Sequence, residues 1–202
     1  MGKLEVICGP MFSGKSEELL RRLKRAQIAK QSFKLYKPII DDRYSKTHVV
    51  THSGIEMQCC AISNAESLLA TPDDVGIVAV DEAQFLDENI LNIVEKLVNN
   101  DKRVIVAGLD MDSNGIPFGP MPRLLAIAEE VLKVTAVCEV CGKDATHTYR
   151  HHAASDDTIL VGASDYYDAR CRLHWHLDQT DVKIAAASYI TNRSYEYKKN
   201  IL

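Results

Sequence analysis

The sequence predicts an α/β fold: a mainly parallel sheet covered by helices on both faces, followed by a small metal-binding β unit. Three observations carry this. Short apolar runs alternate with amphipathic helical stretches through the first two-thirds of the chain, the pattern of strands buried on both faces and joined by crossover helices. The stretch GPMFSGKS, Gly9 to Ser16, satisfies G-x-x-x-x-G-K-S and stands where a strand gives way to a helix. Finally, Cys138-x-x-Cys141 is followed further on by Cys171-x-x-His174, ligand spacings that can close a tetrahedral zinc site.

Leu4 to Cys8 is a short apolar run ending at glycine, a buried strand. From Lys15 to about Lys30, Leu19, Leu20, Leu23, Ala26 and Ile28 recur at near-helical spacing with charge opposite. Phe33 to Lys37 reads as a strand broken by Pro38, and a polar loop leads to a further strand at Glu56 to Ile62. Asn64 to Ala70 suits a short helix, Val75 to Val80 a buried strand, Leu86 to Val98 a helix and Arg103 to Ala107 another buried strand. Arg123 to Val131 reads as a helix and Lys133 to Val137 as a strand. The rhythm changes at Cys138, so the expected division is an α/β domain over 1–137, a metal-binding domain over 138–176 and a tail over 177–202.

Composition narrows the class. A chain of 202 residues fits one large domain or a medium one with an appendage, and 46% hydrophobic with 26% charged residues is ordinary for a soluble protein. A net charge of -4 creates no basic field, which withholds support from a nucleic-acid partner. No apolar run approaches the roughly 20 residues needed to cross a bilayer. The first strand starts too early for a signal peptide, so the expected location is cytoplasmic, with no membrane partner. In that reducing setting the six cysteines read as metal ligands or buried thiols. Cys8, Cys59 and Cys60 fall to the core; Cys138, Cys141, Cys171 and His174 form the metal set. His176 competes with His174 but breaks the spacing, and His147, His151 and His152 read as solvated loop residues.

Backbone N–H groups of such a glycine loop, and the helix N-terminus behind it, attract phosphate oxygens. Lys15 places positive charge on the terminal phosphates, and the Ser16 hydroxyl suits a magnesium ion. Asp81 and Glu82 follow a buried strand, where ligands bind in open α/β sheets. Magnesium needs one carboxylate, which leaves Glu82 available as a base on water or on an acceptor hydroxyl; a helix N-cap is the plainer alternative.

The segments GPMFSGKSEEL, DDRYS, DEAQF, GLDMD with PFGPMP, LLAIAEEVLKVTAVC, CEVC and LVGASDYYDARCRLH, in this order, resemble the type II thymidine kinases, the cytosolic zinc-containing family, from residue 3 to about 176. The resemblance implies a RecA-like P-loop domain and a small zinc domain carrying a lasso-like lid from about Arg150 to Tyr167. It implies transfer of phosphate from ATP with Mg2+ to the 5′-hydroxyl of thymidine, with deoxyuridine as a further substrate. A structural Zn2+, a homotetramer and feedback inhibition by thymidine triphosphate are implied as well. Carried over, Gly9, Pro10, Met11, Phe12, Ser13, Gly14, Lys15 and Ser16 bind ATP together with Asp81, Glu82, Ala83 and Gln84. Glu82 is the general base. Ser16, Asp41, Arg43 and Asp81 serve the phosphate and magnesium region; Met11, Phe85, Leu109, Phe118, Leu160, Val161 and Tyr167 line the nucleoside pocket. Relatives usually carry an aromatic residue and an arginine where Ser113 and Asn114 stand, and their lid is longer. Either the base pocket is altered, or another side chain takes that space. A P-loop ATPase coupled to nucleic acid is the competing function.

Overall fold

The computed structural model describes residues 1–40, 48–50, 54, 56–151 and 166–177. In chain order the elements are β1 (Lys3–Cys8), α1 (Lys15–Ile28), β2 (Phe33–Pro38), β3 (His48–Val50), β4 (Glu56–Gln58), β5 (Cys60–Ile62), β6 (Ile77–Val80) and α2 (Ile90–Asn99). They continue with β7 (Arg103–Gly108), α3 (Met121–Ile127), β8 (Glu130–Lys133), β9 (Ala136–Val137), β10 (Asp144–Ala145), β11 (His147–Arg150), β12 (Tyr167–Arg170) and α4 (Arg172–Leu177). Short 3-10 helices occupy Ala65–Ala70 and Ala83–Phe85.

Six strands form one sheet in the order β5-β2-β6-β7-β1-β8, and each pairing in it is parallel. Parallel neighbours require crossover connections, which put helices on both faces. Strand alternation then divides the core. Leu4, Val6 and Cys8 join Val78, Val80, Val104 and Val106 beneath α2 and α3. On the other face Ile7, Ala79, Ile105 and Ala107 meet Leu19, Leu20, Leu23 and Ala26 of α1. The strand β7 separates β1, which leads into the phosphate loop, from β6, which leads into Asp81. This is the RecA-like arrangement, and it brings the three strand ends that matter into adjacent positions.

Several boundaries differ from the sequence pattern for local reasons. Ile28, at the end of α1, is 83% exposed rather than part of the apolar stripe. Pro38 does not break β2; it closes the strand in register with Ile62. The stretch from Glu56 to Ile62 divides, β4 pairing with β3 and β5 with β2. α2 starts at Ile90 because Asp87 accepts from the backbone N–H groups of Asn89 and Ala65, fixing a turn first. α3 starts at Met121 after Pro120, with Pro122 in the first turn, where a missing N–H costs nothing. It ends at Ile127, and Glu130–Lys133 becomes an edge strand beside β1 instead of a last helical turn.

Beyond β8, two small antiparallel pairs, β9–β10 and β11–β12, enclose a minor core of Ala136, Cys138, Ala145 and Ala169. Among the described residues no helix is long and apolar enough to cross a membrane.

Candidate functional site

The phosphate loop runs from the C-terminal end of β1 to the start of α1. At Gly9 (φ 149°) a Cβ would lie 2.3 Å from the Val134 carbonyl oxygen, so only glycine lets the loop pass β8. α1 begins with no side-chain cap, leaving its first N–H groups directed at the loop, where an anion is favoured. The Lys15 ammonium is buried and donates to the Pro10 carbonyl at 2.7 Å. Ser16 donates its hydroxyl to Asp81 Oδ2 at 2.8 Å, so the two hard oxygen groups expected at a magnesium site converge. Burial pushes the Asp81 carboxyl up, and the neighbouring Glu82 charge adds to it. The Ser16 hydrogen bond and Lys15 pull the other way, leaving it at about 7.

Glu82 stands at φ 53°, in the left-handed region, a strain of about 1 kcal/mol or more for a non-glycine residue. Its carboxylate receives the Gln84 side-chain amide at 2.5 Å, and the oxygen of that amide accepts the Leu109 N–H at 3.0 Å. Gln84 and Ala83 are both buried. Glu82, Leu109 and Met11 line one cleft together with Phe12, Ser13, Gly14, Lys15 and Ser16. Thus the acid after β6, the residue after β7 and the phosphate loop face a common space. Phe85 and Phe118 pack edge to face, centroids 5.6 Å apart. Tyr167 is buried opposite Arg150 at the start of β12. Asp41, Arg43, Leu160, Val161, His152 and the tail beyond Leu177 lie outside the described residues.

Cys138, Cys141, Cys171 and His174 offer sulfur and nitrogen atoms that all lie within 4.8 Å of one another. Cys171 Sγ is 3.2 Å and Cys138 Sγ 3.6 Å from His174 Nδ1, and Cys141 Sγ is 3.9 Å from Cys171 Sγ. A tetrahedron with Zn–S bonds of about 2.3 Å has edges of about 3.5–3.8 Å, so the donor set fits a closed zinc site. Burial pushes the Cys138 thiol up, but backbone hydrogen bonds from Cys171, Cys141 and Val140 and the His174 contact outweigh it, lowering it to about 6. The choice between His174 and His176 falls to His174.

Other sequence expectations need correction. His147 is a buried strand residue, 4% exposed, stacked on Trp175 with centroids 4.6 Å apart. His151, by contrast, lies in the loop after β11 with its side chain 42% exposed, as expected, and its Nε2 is 2.9 Å from Asp168 Oδ1. Cys60 is exposed, because β5 lies at the sheet edge.

The spacing patterns missed how the cysteine–histidine unit touches the phosphate loop. Met11 N–H donates to Thr148 Oγ1 at 3.0 Å, and Phe12 (φ 63°) packs against the minor core. They also missed Trp175, whose indole N–H donates to the Ser113 carbonyl at 3.2 Å. Its position directly after His174 was the available signal.

One solved structure, the crystal structure of a DNA replication initiation factor, is similar at TM-score 0.40 and 13% identity, over 66% of this chain. The chain spans 40% of that one. A family model described as thymidine kinase matches residues 2–175. Since that match runs through every described segment that shapes the cleft, the chain belongs to the thymidine kinase family.

Proposed function

We propose that this protein transfers the terminal phosphate of ATP to the 5′-hydroxyl of thymidine, and also accepts deoxyuridine, in deoxynucleotide salvage. The observation that carries the reading is the shared cleft: Glu82 faces the same space as Lys15, Ser16 and Leu109. A base placed beside a phosphate loop suits an acceptor hydroxyl held in line with the transferring group. Glu82 takes the hydroxyl proton as the nucleoside oxygen bonds to the terminal phosphorus. The bond from that phosphorus to the bridging oxygen breaks, and ADP leaves. Lys15 and the loop N–H groups hold the phosphates, Arg43 adds positive charge, and Met11, Leu109, Phe85, Phe118, Leu160, Val161 and Tyr167 enclose the base. Ser16 and Asp81 are the residues that would hold magnesium, which when bound neutralises charge on the phosphates. The division into an α/β domain, a zinc domain and a tail, the homotetramer, feedback inhibition by thymidine triphosphate and a cytoplasmic location belong to the same reading.

Glu82→Gln tests it. It should lower kcat for thymidine about a hundredfold or more, while ATP binding followed by calorimetry stays within a few-fold. Full activity in that variant, or ATP turnover that follows single-stranded DNA and ignores nucleosides, would overturn the assignment.

A further inference from the structure

The segment after β7 folds back on itself. Asp112 Oδ1 accepts from the N–H groups of Asn114 and Ile116, each at 2.9 Å. The Asp112 N–H donates to the Ile116 carbonyl at 2.9 Å and Phe118 N–H to the Asp110 carbonyl at 3.1 Å. Met111 bridges Pro117 in antiparallel fashion. The result is a stiff hairpin whose two ends carry Leu109 and Phe118. Its base is fixed by the Leu109 bond to Gln84 and by the packing of Phe118 on Phe85. Its tip meets a different part of the chain. The Trp175 indole donates to the Ser113 carbonyl, and its ring fills the space at Gly115, where a Cβ would come within 2.7 Å of Cη2. That ring also stacks on His147 of β11, at 4.6 Å and 30°, and more distantly on His176, at 6.3 Å and 16°. Trp175 follows His174, and its backbone N–H donates to the Cys171 carbonyl at 2.9 Å, within the set of Cys138, Cys141, Cys171 and His174 that could hold a metal.

We propose that Trp175 is a positioning residue: it holds the tip of the 110–118 hairpin against the cysteine–histidine unit and thereby sets the position of the nucleoside-pocket wall. The proposal rests on the reading of the cleft as a thymidine site. A hairpin bonded to itself moves as one piece, so with its tip released it pivots on the Gln84 and Phe85 contacts and shifts Leu109 and Phe118 together. The phosphate loop keeps its own contacts to the same unit through Thr148 and Phe12. Loss of Trp175 therefore acts on the nucleoside and spares ATP.

The test compares wild type, Trp175→Ala and Trp175→Phe, each with its zinc content measured. Removing a stacked ring and its hydrogen bond should raise the thymidine KM about tenfold in Trp175→Ala. The ATP KM should stay within about twofold, and kcat should fall less than the thymidine KM rises. Trp175→Phe, which keeps the ring and loses the N–H donor, should recover most of the affinity. If Trp175→Ala loses its zinc, the phenylalanine variant decides: a modest rise in thymidine KM alone supports the proposal. Equal rises in both KM values, or none in either, overturn it. Hydrogen exchange keeps the question separate from substrate identity. The Leu109 amide, bonded outside the hairpin to Gln84, should exchange faster in Trp175→Ala even if wild type phosphorylates no thymidine, a result that would sink the functional reading alone. Unchanged exchange there overturns the proposal.

Discussion

A carboxylate with no exposure needs a strong reason to sit in a sheet, and Glu5 has three cations as its reason. Arg103 donates to both its oxygens at 2.6 and 2.9 Å, Lys3 approaches to 2.7 Å, and Arg22 of α1 completes the group. Burial pushes the carboxyl up, but these hydrogen bonds outweigh it and hold it at about 2. A carboxyl held below its unfolded value favours the fold while ionised. Its contribution is therefore complete above about pH 5 and fades as pH falls toward 2. Urea unfolding at pH 7, 5 and 3 should show this loss in wild type and a shallower dependence in Glu5→Gln. At neutral pH that variant should lose about 3 kcal/mol, because half-buried Arg103 loses the carboxylate it grips through two hydrogen bonds and buried Arg22 is left with Glu18 and Glu130. Glu5→Gln with wild-type stability would show that solvent, not Glu5, satisfies those guanidinium groups.

Among elements, the informative contact is between β11 and the phosphate loop. Thr148, 4% exposed, accepts from Met11 N–H, a bond worth about 0.5–1.5 kcal/mol. Thr148→Val keeps the shape and removes the acceptor. It should raise the ATP KM about three- to tenfold with zinc retained, and an unchanged ATP KM would refute a role for β11 in shaping the loop. This contact was not legible in the sequence, because pairing of residues 137 positions apart leaves no periodic trace. What was legible followed short-range rules. The buried strands β1, β6 and β7 announced themselves as unbroken apolar runs, the phosphate loop by its glycines and lysine, and the clustering of Cys138, Cys141, Cys171 and His174 by spacing. The region around α3 misled because Leu124, Leu125 and Ile127 continue without a gap into Val131 and Leu132, so one apolar pattern spans a helix and a strand. Only Pro120 and Pro122 mark where the helix begins. Gln84 enters the sequence reading only among the ATP-binding residues implied by the resemblance, yet its side chain joins Glu82 to Leu109 because two strand ends are neighbours.

At the scale of the molecule, two cores of unequal size share one site. The sheet is covered on both faces by large aliphatic side chains, whereas the unit beyond β8 has a core of Ala136, Cys138, Ala145 and Ala169. Four such small side chains bury little apolar area, so a metal held by Cys138, Cys141, Cys171 and His174 would supply order that this core cannot. Chelation should abolish a first thermal transition seen in the emission of Trp175, the chain's single tryptophan, and leave the transition of the sheet in place. One transition at an unchanged temperature with and without chelator would show that the metal contributes nothing to the fold. The order of strands has a further outcome during synthesis. β1 pairs with β7 from Lys3↔Arg103 to Cys8↔Gly108 and with β8 from Glu5↔Glu130 to Cys8↔Lys133. The strand that leads into the phosphate loop is thus made before both of its partners and is fully paired only once β8 has followed β7. A nascent chain arrested before Lys133 has left the ribosome carries every residue of GPMFSGKS but lacks the second partner of β1. It should therefore retain labelled ATP more weakly than the chain released past Val134, and equal retention would show that β8 is not needed to shape the loop.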